Sequence, residues 1–220
     1  MGPLLFGRLV MRTYVYIDGF NLYYGALKGT VHKWLDINAL FRNILRPEND
    51  IQKIKYFIAR ISARPDNPNA PQRQDVYLRA LDAYIPGLEV TEGHFIQKPM
   101  TMRLVKPMGA RKFARVFKTE EKGSDVNLAV QLVNDAWHNR YDCAVVYSND
   151  GDIAEALRIV KRERHKSVVL VVPGDPKKRP PSVELKRWAN ATLRITPAIL
   201  ANSQLPTPIP GTTIHKPPTW

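Results

Sequence analysis

The sequence predicts an α/β fold, a mainly parallel sheet with helices on both faces, and three observations carry that expectation. Residues 143–147 (CAVVY) and 168–172 (VVLVV) are continuous apolar runs, the pattern of strands buried on both faces. Apolar residues recur at helical spacing after Asp125, at Ala129, Leu132, Val133, Ala136 and Trp137, and after Asp152, at Ile153, Ala156, Leu157 and Val160. Strand-length and helix-period segments alternate from about residue 14 to residue 196, which implies right-handed crossovers between parallel strands.

Along the chain, residues 14–17 (YVYI) form a short β-rich run closed by the turn signal Asp18-Gly19, residues 54–61 form a second and residues 88–95 a third. Residues 62–72 (SARPDNPNAPQ) read as a Pro/Asn-rich loop. From residue 205 to 220 the prolines Pro206, Pro208, Pro210, Pro217 and Pro218 exclude regular structure, so this stretch is expected to be extended, docked or mobile, and dispensable for folding. The chain divides into an N-terminal extension (1–11), one domain (12–203) and a Pro-rich tail (204–220).

The 220 residues carry 33 Lys and Arg against 20 Asp and Glu, a formal net charge of +13, with 44% hydrophobic residues. This is the composition of a globular domain, and it excludes an acidic, self-solvating chain. The basic excess suits a polyanionic partner, because neutralising phosphates releases counterions; a basic protein with no nucleic-acid role is the plainer alternative. One cysteine, Cys143, excludes a disulfide framework and a cysteine-built zinc site, and points to a reducing, cytoplasmic setting. The opening MGPLLFGRLV is too short and too interrupted by Arg8 for a signal peptide, and no apolar run is long enough to span a membrane. Lys177, Lys178, Arg179, Lys186 and Arg187 read as a solvated basic face.

The aspartates fall where such a fold gathers ligands, beyond the carboxyl ends of the strands near the reversal of strand order. Asp18 closes the first strand, Asp150 follows the strand at 143–147, Asp152 begins the next helix, and Asp125 opens the helix leading into that strand. Each has a structural alternative: Asp125 and Asp152 as helix caps, Asp18-Gly19 as a turn. If they converge, their repulsion calls for a divalent cation, and an all-oxygen donor set favours Mg²⁺ or Mn²⁺ over zinc. No GxxxxGK[ST], GxGxxG or HExxH motif is present. Phe20 stands where a haloacid-dehalogenase-type phosphatase needs its second aspartate, and nothing upstream of Asp18 supplies the acidic pair of a receiver domain.

Three segments, Tyr14-Val-Tyr-Ile-Asp-Gly-Phe-Asn21, Glu120-Glu-Lys-Gly-Ser-Asp-Val-Asn-Leu-Ala129 and Ser148-Asn-Asp-Gly-Asp-Ile153, resemble in order and context the motifs of the NYN-domain family, part of the PIN-like superfamily of metal-dependent ribonucleases. Arg73-Gln74, Tyr77-Leu78 and Ala80-Leu81 resemble the family's middle helix. The resemblance spans roughly residues 12–196 and implies a three-layer α/β/α sandwich of PIN-like topology with an acidic metal site. Asp18, Asp125 and Asp150 match the family's metal-binding aspartates, Asp152 a further acidic position, and Asn21 the asparagine of the first motif, whose amide would brace Asp18 or bond a metal water. Asn149, Gly151, Ser124 and Ile153 depart from the usual pattern without removing a carboxylate.

The resemblance implies a ribonuclease on single-stranded or structured RNA, with one or two Mg²⁺ or Mn²⁺ ions activating water. A non-catalytic RNA-binding module is the main alternative and a metal phosphatase a third. RNA contacts are expected from Arg60, Arg64 and Arg73 near the loop after the second strand, and from Arg111, Lys112, Arg115, Lys118 and Lys122 before the acidic helix. Phe113 and Phe117, interleaved with that second group, are expected in the core. His94 reads as packed or at the surface rather than catalytic, Tyr23, Tyr24 and Trp34 fit either core or binding, and homo-oligomerisation is left open by the sequence.

Overall fold

The computed structural model describes residues 10–63, 65, 67–109, 111–172, 174, 180–218 and 220. Its strands are β1 (Met11–Asp18), β2 (Asn49–Ala59), β3 (Leu88–Met108), β4 (Arg111–Lys122), β5 (Cys143–Tyr147), β6 (Ser167–Val172) and β7 (Ala191–Arg194). Among the described residues they form one sheet in the order β4-β3-β2-β1-β5-β6-β7. Every pairing is parallel except β3 with β4. The fold is thus mixed α/β with a mostly parallel sheet, as the apolar runs imply.

The period-2 alternation of the central strands sorts their side chains into two cores. Val15, Ile17, Ile54, Tyr56, Cys143, Val145 and Tyr147 join one cluster, while Tyr16, Phe57, Ala144, Val146, Leu170 and Val172 join the other. Helices α2 (Ile37–Ile44), α3 (Ala70–Tyr84) and α7 (Pro197–Ala201) contribute to the first cluster, and α4 (Ser124–Trp137), α5 (Ala154–Arg162) and α6 (Val183–Trp188) to the second. A short helical turn, α1 (Gly19–Leu22), continues into a π-helical turn at Tyr23–Leu27. No helix among the described residues is long and apolar enough to cross a membrane.

Several expectations change. The strand at 88–95 runs on to Met108 and returns as β4, a long antiparallel ribbon. Its outer half buries neither face, so it lacks the alternation that marks a half-buried strand. Phe113 and Phe117, expected in the core, are 55% and 74% exposed on it. Strand β2 begins at Asn49 and ends before Arg60, and α3 begins at Ala70. There Pro71 sits in the first helical turn, where its missing N–H costs nothing. Trp137, assigned to the apolar face of α4, lies outside it; its ring is covered by the guanidinium of Arg164 at 4.6 Å. His94 is at the surface and Trp34 is core.

The stretch from 205 to 220 is extended, as its prolines require, but it is docked rather than mobile. The Leu205 N–H donates to the Trp34 carbonyl at 2.9 Å and the Trp34 indole N–H to the Pro206 carbonyl at 3.1 Å. Leu205 and Ile209 are buried in the first core, and Trp220 packs against Trp34 and Tyr77. It covers the rings of Trp34 and Tyr77. Lys177, Lys178, Arg179 and most of the N-terminal extension lie outside the described residues.

Candidate active site

Strand order reverses between β1 and β5: the chain moves outward from β1 through β2 to β3, then returns through α4 to β5 on the other side of β1. The carboxyl ends of β1 and β5 therefore frame the crevice where this class of sheet binds ligands. Asp18 is the last residue of β1 and is 3% exposed. Its Oδ1 accepts the Asn21 backbone N–H at 2.9 Å, and its Oδ2 accepts the Asn21 side-chain amide and, at 3.2 Å, the Ser148 hydroxyl. Burial raises the Asp18 carboxyl above its ordinary value, against the opposing pull of these hydrogen bonds.

The turn that follows is held close to β2. A Cβ at Gly19 would collide with the Ile58 side chain and the Phe57 carbonyl, so glycine is required by the close approach.

Across the crevice, the Ser148 hydroxyl accepts the Asp150 N–H at 3.1 Å, and Asp150 Oδ1 accepts the Asp152 N–H at 2.9 Å. Asp18 and Asp150 are thus both caps and members of the cluster. Asp125 is not a cap: Gly123, at φ +98°, precedes the helix, and Glu121 Oε1 accepts the Ser124 N–H at 3.1 Å. Asp125 is pushed up to about 6, first by burial and then by the negative charges of Asp18, Asp150, Glu121 and Asp152. The structure therefore brings the four aspartates of the sequence motifs into one electrostatic neighbourhood.

Sequence reasoning missed two members of this neighbourhood. Glu121, next to last in β4, lies beside Asp125, admitted there by Gly93, where a Cβ would lie 2.6 Å from Glu121 Oε1 and 2.9 Å from Ser124 Oγ. Ser148 joins Asp18 to Asp150. Both lie within the motif segments, and their further signal is position: Glu121 lies three residues before the helix start, Ser148 directly after an apolar run.

The donor set suits a hard divalent cation in chemistry and charge. It offers carboxylate oxygens that repel one another, and beside them the buried Asn21 Oδ1 and Ser124 Oγ have no hydrogen-bond partner. Among the described residues no three His, Cys, Asp or Glu side chains are gathered closely enough to ligate one ion directly.

The cations divide. Arg60 is engaged by Asp75 at 3.1 Å and Glu92 at 2.8 Å, Arg73 donates to Asn67, and Lys118 and Lys122 both pair with Glu120. Arg111, Lys112 and Arg115 stand exposed on the ribbon. Arg64 lies outside the described residues.

The chain is 35% identical to 6-hydroxy-3-succinoylpyridine 3-monooxygenase HspA of Pseudomonas putida (strain DSM 28022 / S16), over 96% of this chain and 75% of that protein. A crystal structure of a protein of unknown function from Vibrio parahaemolyticus RIMD 2210633 shares the fold, with a TM-score of 0.54 at 20% identity over 93% of this chain and 100% of that one. The model of the NYN domain matches residues 12–193, which contain the ends of β1 and β5 and the start of α4. On this match, which covers most of its length, the chain belongs to the NYN domain family.

Proposed function

We propose that the protein is a divalent-metal-dependent ribonuclease that hydrolyses phosphodiester bonds of single-stranded or structured RNA. NYN domains are in general nucleases. The observation that carries the reading is the placing of Asp18, buried at the end of β1, and Asp150, just beyond β5, on one shared hydroxyl, that of Ser148, at the β1/β5 switch point, with Asp125 near enough for their charges to raise its carboxyl. Such crowding is costly unless a cation is bound there. Asp18, Asp125 and Asp150 would hold Mg²⁺ or Mn²⁺, with Asp152 acting through water. The ion would supply an activated water and neutralise charge at the phosphate.

The remaining work falls to the chain. Ser148 and Asn21 fix the rotamer of Asp18 by donating to its oxygens. Glu121 holds the first turn of α4, and hence Asp125, by accepting the Ser124 N–H. Exposed lysines and arginines bring the RNA backbone to a site whose own charge is negative. We also read the architecture as a three-layer sandwich of PIN-like topology, a reading supported by the two cores on opposite faces of the sheet.

The 35% identity to HspA favours a second reading, oxygenation of a hydroxylated pyridine. One preparation separates the two. Labelled RNA is incubated with Mn²⁺, with EDTA, and with Asp125→Asn as control, and oxygen uptake is followed with 6-hydroxy-3-succinoylpyridine and an added two-electron reductant. Cleavage that needs metal and Asp125 supports the nuclease. Substrate-dependent oxygen uptake without RNA cleavage overturns it, and RNA binding without either leaves the non-catalytic module.

A further inference from the structure

The β3–β4 ribbon concentrates what the rest of the surface disperses. Between Gln97 and Lys118 the sequence has seven Lys and Arg and no Asp or Glu, against a net charge of +13 for the whole chain. Cross-strand register assigns these residues to faces, because directly paired residues share a face and neighbours alternate. Arg103 pairs with Phe113, Thr101 with Arg115, and Pro99 with Phe117. One face of β4 therefore reads Arg111, Phe113, Arg115, Phe117, with Arg103 opposite the first ring.

Phe113 and Phe117 are both exposed on this face. Large apolar rings displayed between cations need an explanation in ligand binding. The register continues unbroken to the pair Phe95 and Glu121 at the ribbon's base, on this same face. Phe95 meets Phe20 edge-on at 5.5 Å, and Phe20 stacks with the exposed Tyr24 at 6.4 Å. Phe20 follows Asp18 by two residues, and Glu121 acts on Asp125. The face thus runs from the ribbon's outer half into the acidic crevice.

We propose that this face is a binding track for single-stranded RNA, with Phe113 and Phe117 stacking on bases and Arg103, Arg111 and Arg115 on the backbone, feeding the strand toward the aspartates. Alternating rings and cations are what a sequence-tolerant single strand requires, since every base has a π-face and every linkage a negative charge. The rings stand about 13 Å apart along the strand, at about 3.3 Å per residue. A second copy of the chain is the less suitable occupant, because pairing two such faces opposes cations to cations. The track rests on the nucleic-acid reading of the site but not on cleavage.

The test is fluorescence anisotropy with a labelled 20-nucleotide single-stranded RNA and the full chain in EDTA, so that binding is read without hydrolysis. Phe113→Ala with Phe117→Ala should weaken binding about tenfold for each ring and leave the salt dependence unchanged. Phe113→Trp with Phe117→Trp should restore affinity. Arg111→Gln with Arg115→Gln should flatten the slope of log affinity against log salt by about 1.4, at about 0.7 per phosphate contact. With 4-thiouridine RNA, photo-cross-links should map to the peptide holding Phe113 and Phe117; cross-links confined to other peptides overturn the track even if a variant folds poorly. Unchanged affinity in the folded Phe pair also overturns it. A concentration-dependent dimer abolished by that pair, with RNA affinity intact, assigns the face to self-association. Loss of the nuclease reading alone would show as ribbon-dependent binding without metal-dependent cleavage.

Discussion

The Ser148 hydroxyl donates to Oδ2 of Asp18 at 3.2 Å and accepts the backbone N–H of Asp150 at 3.1 Å. One side chain therefore sets the position of carboxylates on both sides of the β1/β5 switch point. Ser148 is 1% exposed, so neither bond is shared with bulk solvent.

Ser148→Ala should leave the protein folded, at a cost of about 1 kcal/mol for the lost hydrogen bonds, and should lower RNA cleavage about tenfold or more by loosening Asp18. Single-turnover cleavage in saturating Mn²⁺ measures this. A wild-type rate in the variant would show that Asn21 alone positions Asp18. Asp18→Asn, Asp125→Asn and Asp150→Asn should each lose orders of magnitude, and Asp152→Asn less, because Asp152 is exposed and would reach an ion only through water.

The cluster also makes stability depend on pH. The Asp125 carboxyl sits at about 6 in the fold against an ordinary 3.8, so between those values the folded state binds more protons than the unfolded chain. Stability in EDTA should then fall as pH rises from about 4 to about 6, by about 1 kcal/mol once solvent screening of this half-exposed carboxyl is allowed for. Asp125→Asn cannot lose that proton and should melt above wild type at pH 7, the gap closing near pH 4. Mn²⁺ should raise the wild-type midpoint more than the variant's. Calorimetry at four pH values checks both, and a variant that melts lower at pH 7 would make Asp125 a structural acceptor.

A different carboxylate holds α4 to the sheet. Asp135 is fully buried and receives the Tyr16 hydroxyl, Lys55 Nζ and Arg140 Nη1, each at 2.7 Å. Burial alone would raise its carboxyl; Lys55, Tyr16 and Arg140 hold it below the ordinary range. Asp135→Ala leaves Lys55 buried with only Glu89 at 3.4 Å and should cost about 3 kcal/mol in urea unfolding. Arg140→Ala, at the exposed end of the network, should cost much less.

The parts of this fold that were legible in the sequence are those where burial writes a period. Strands β5 and β6 are apolar at every central position, and Ile153, Ala156, Leu157 and Val160 mark the inner face of α5. The acidic residues were legible because each lies at the end of such an element. The ribbon was not, since its outer half faces solvent on both sides and its alternation of Arg and Phe follows no core. Ser148 was missed because its partner Asp18 lies 130 positions away, and Glu121, four positions before Asp125, because its role depends on the turn at Gly123 that folds it back onto the start of α4.

The prolines left open whether the C-terminal stretch is docked or mobile; it is docked, because proline excludes a ladder but not burial. Ile209 is fully buried, its N–H donates to the Ile214 carbonyl at 2.9 Å, and the Trp220 ring closes on Tyr77 at 5.5 Å. Ile209→Ala removes most of a side chain from a packed site and should cost about 2–4 kcal/mol. Removal of residues 205–220 should cost more, since it strips the cover from Trp34 and leaves the indole N–H, now bonded to Pro206, without its acceptor. The truncated protein should melt far below wild type or fail to remain soluble, and its Trp34 fluorescence should shift to the red as water reaches the ring. The acidic site lies at the ends of β1 and β5, away from this contact, so Ile209→Ala assayed well below its lowered midpoint should cleave RNA at the wild-type rate. A variant with wild-type stability would show that the stretch rests on the domain without contributing to its core.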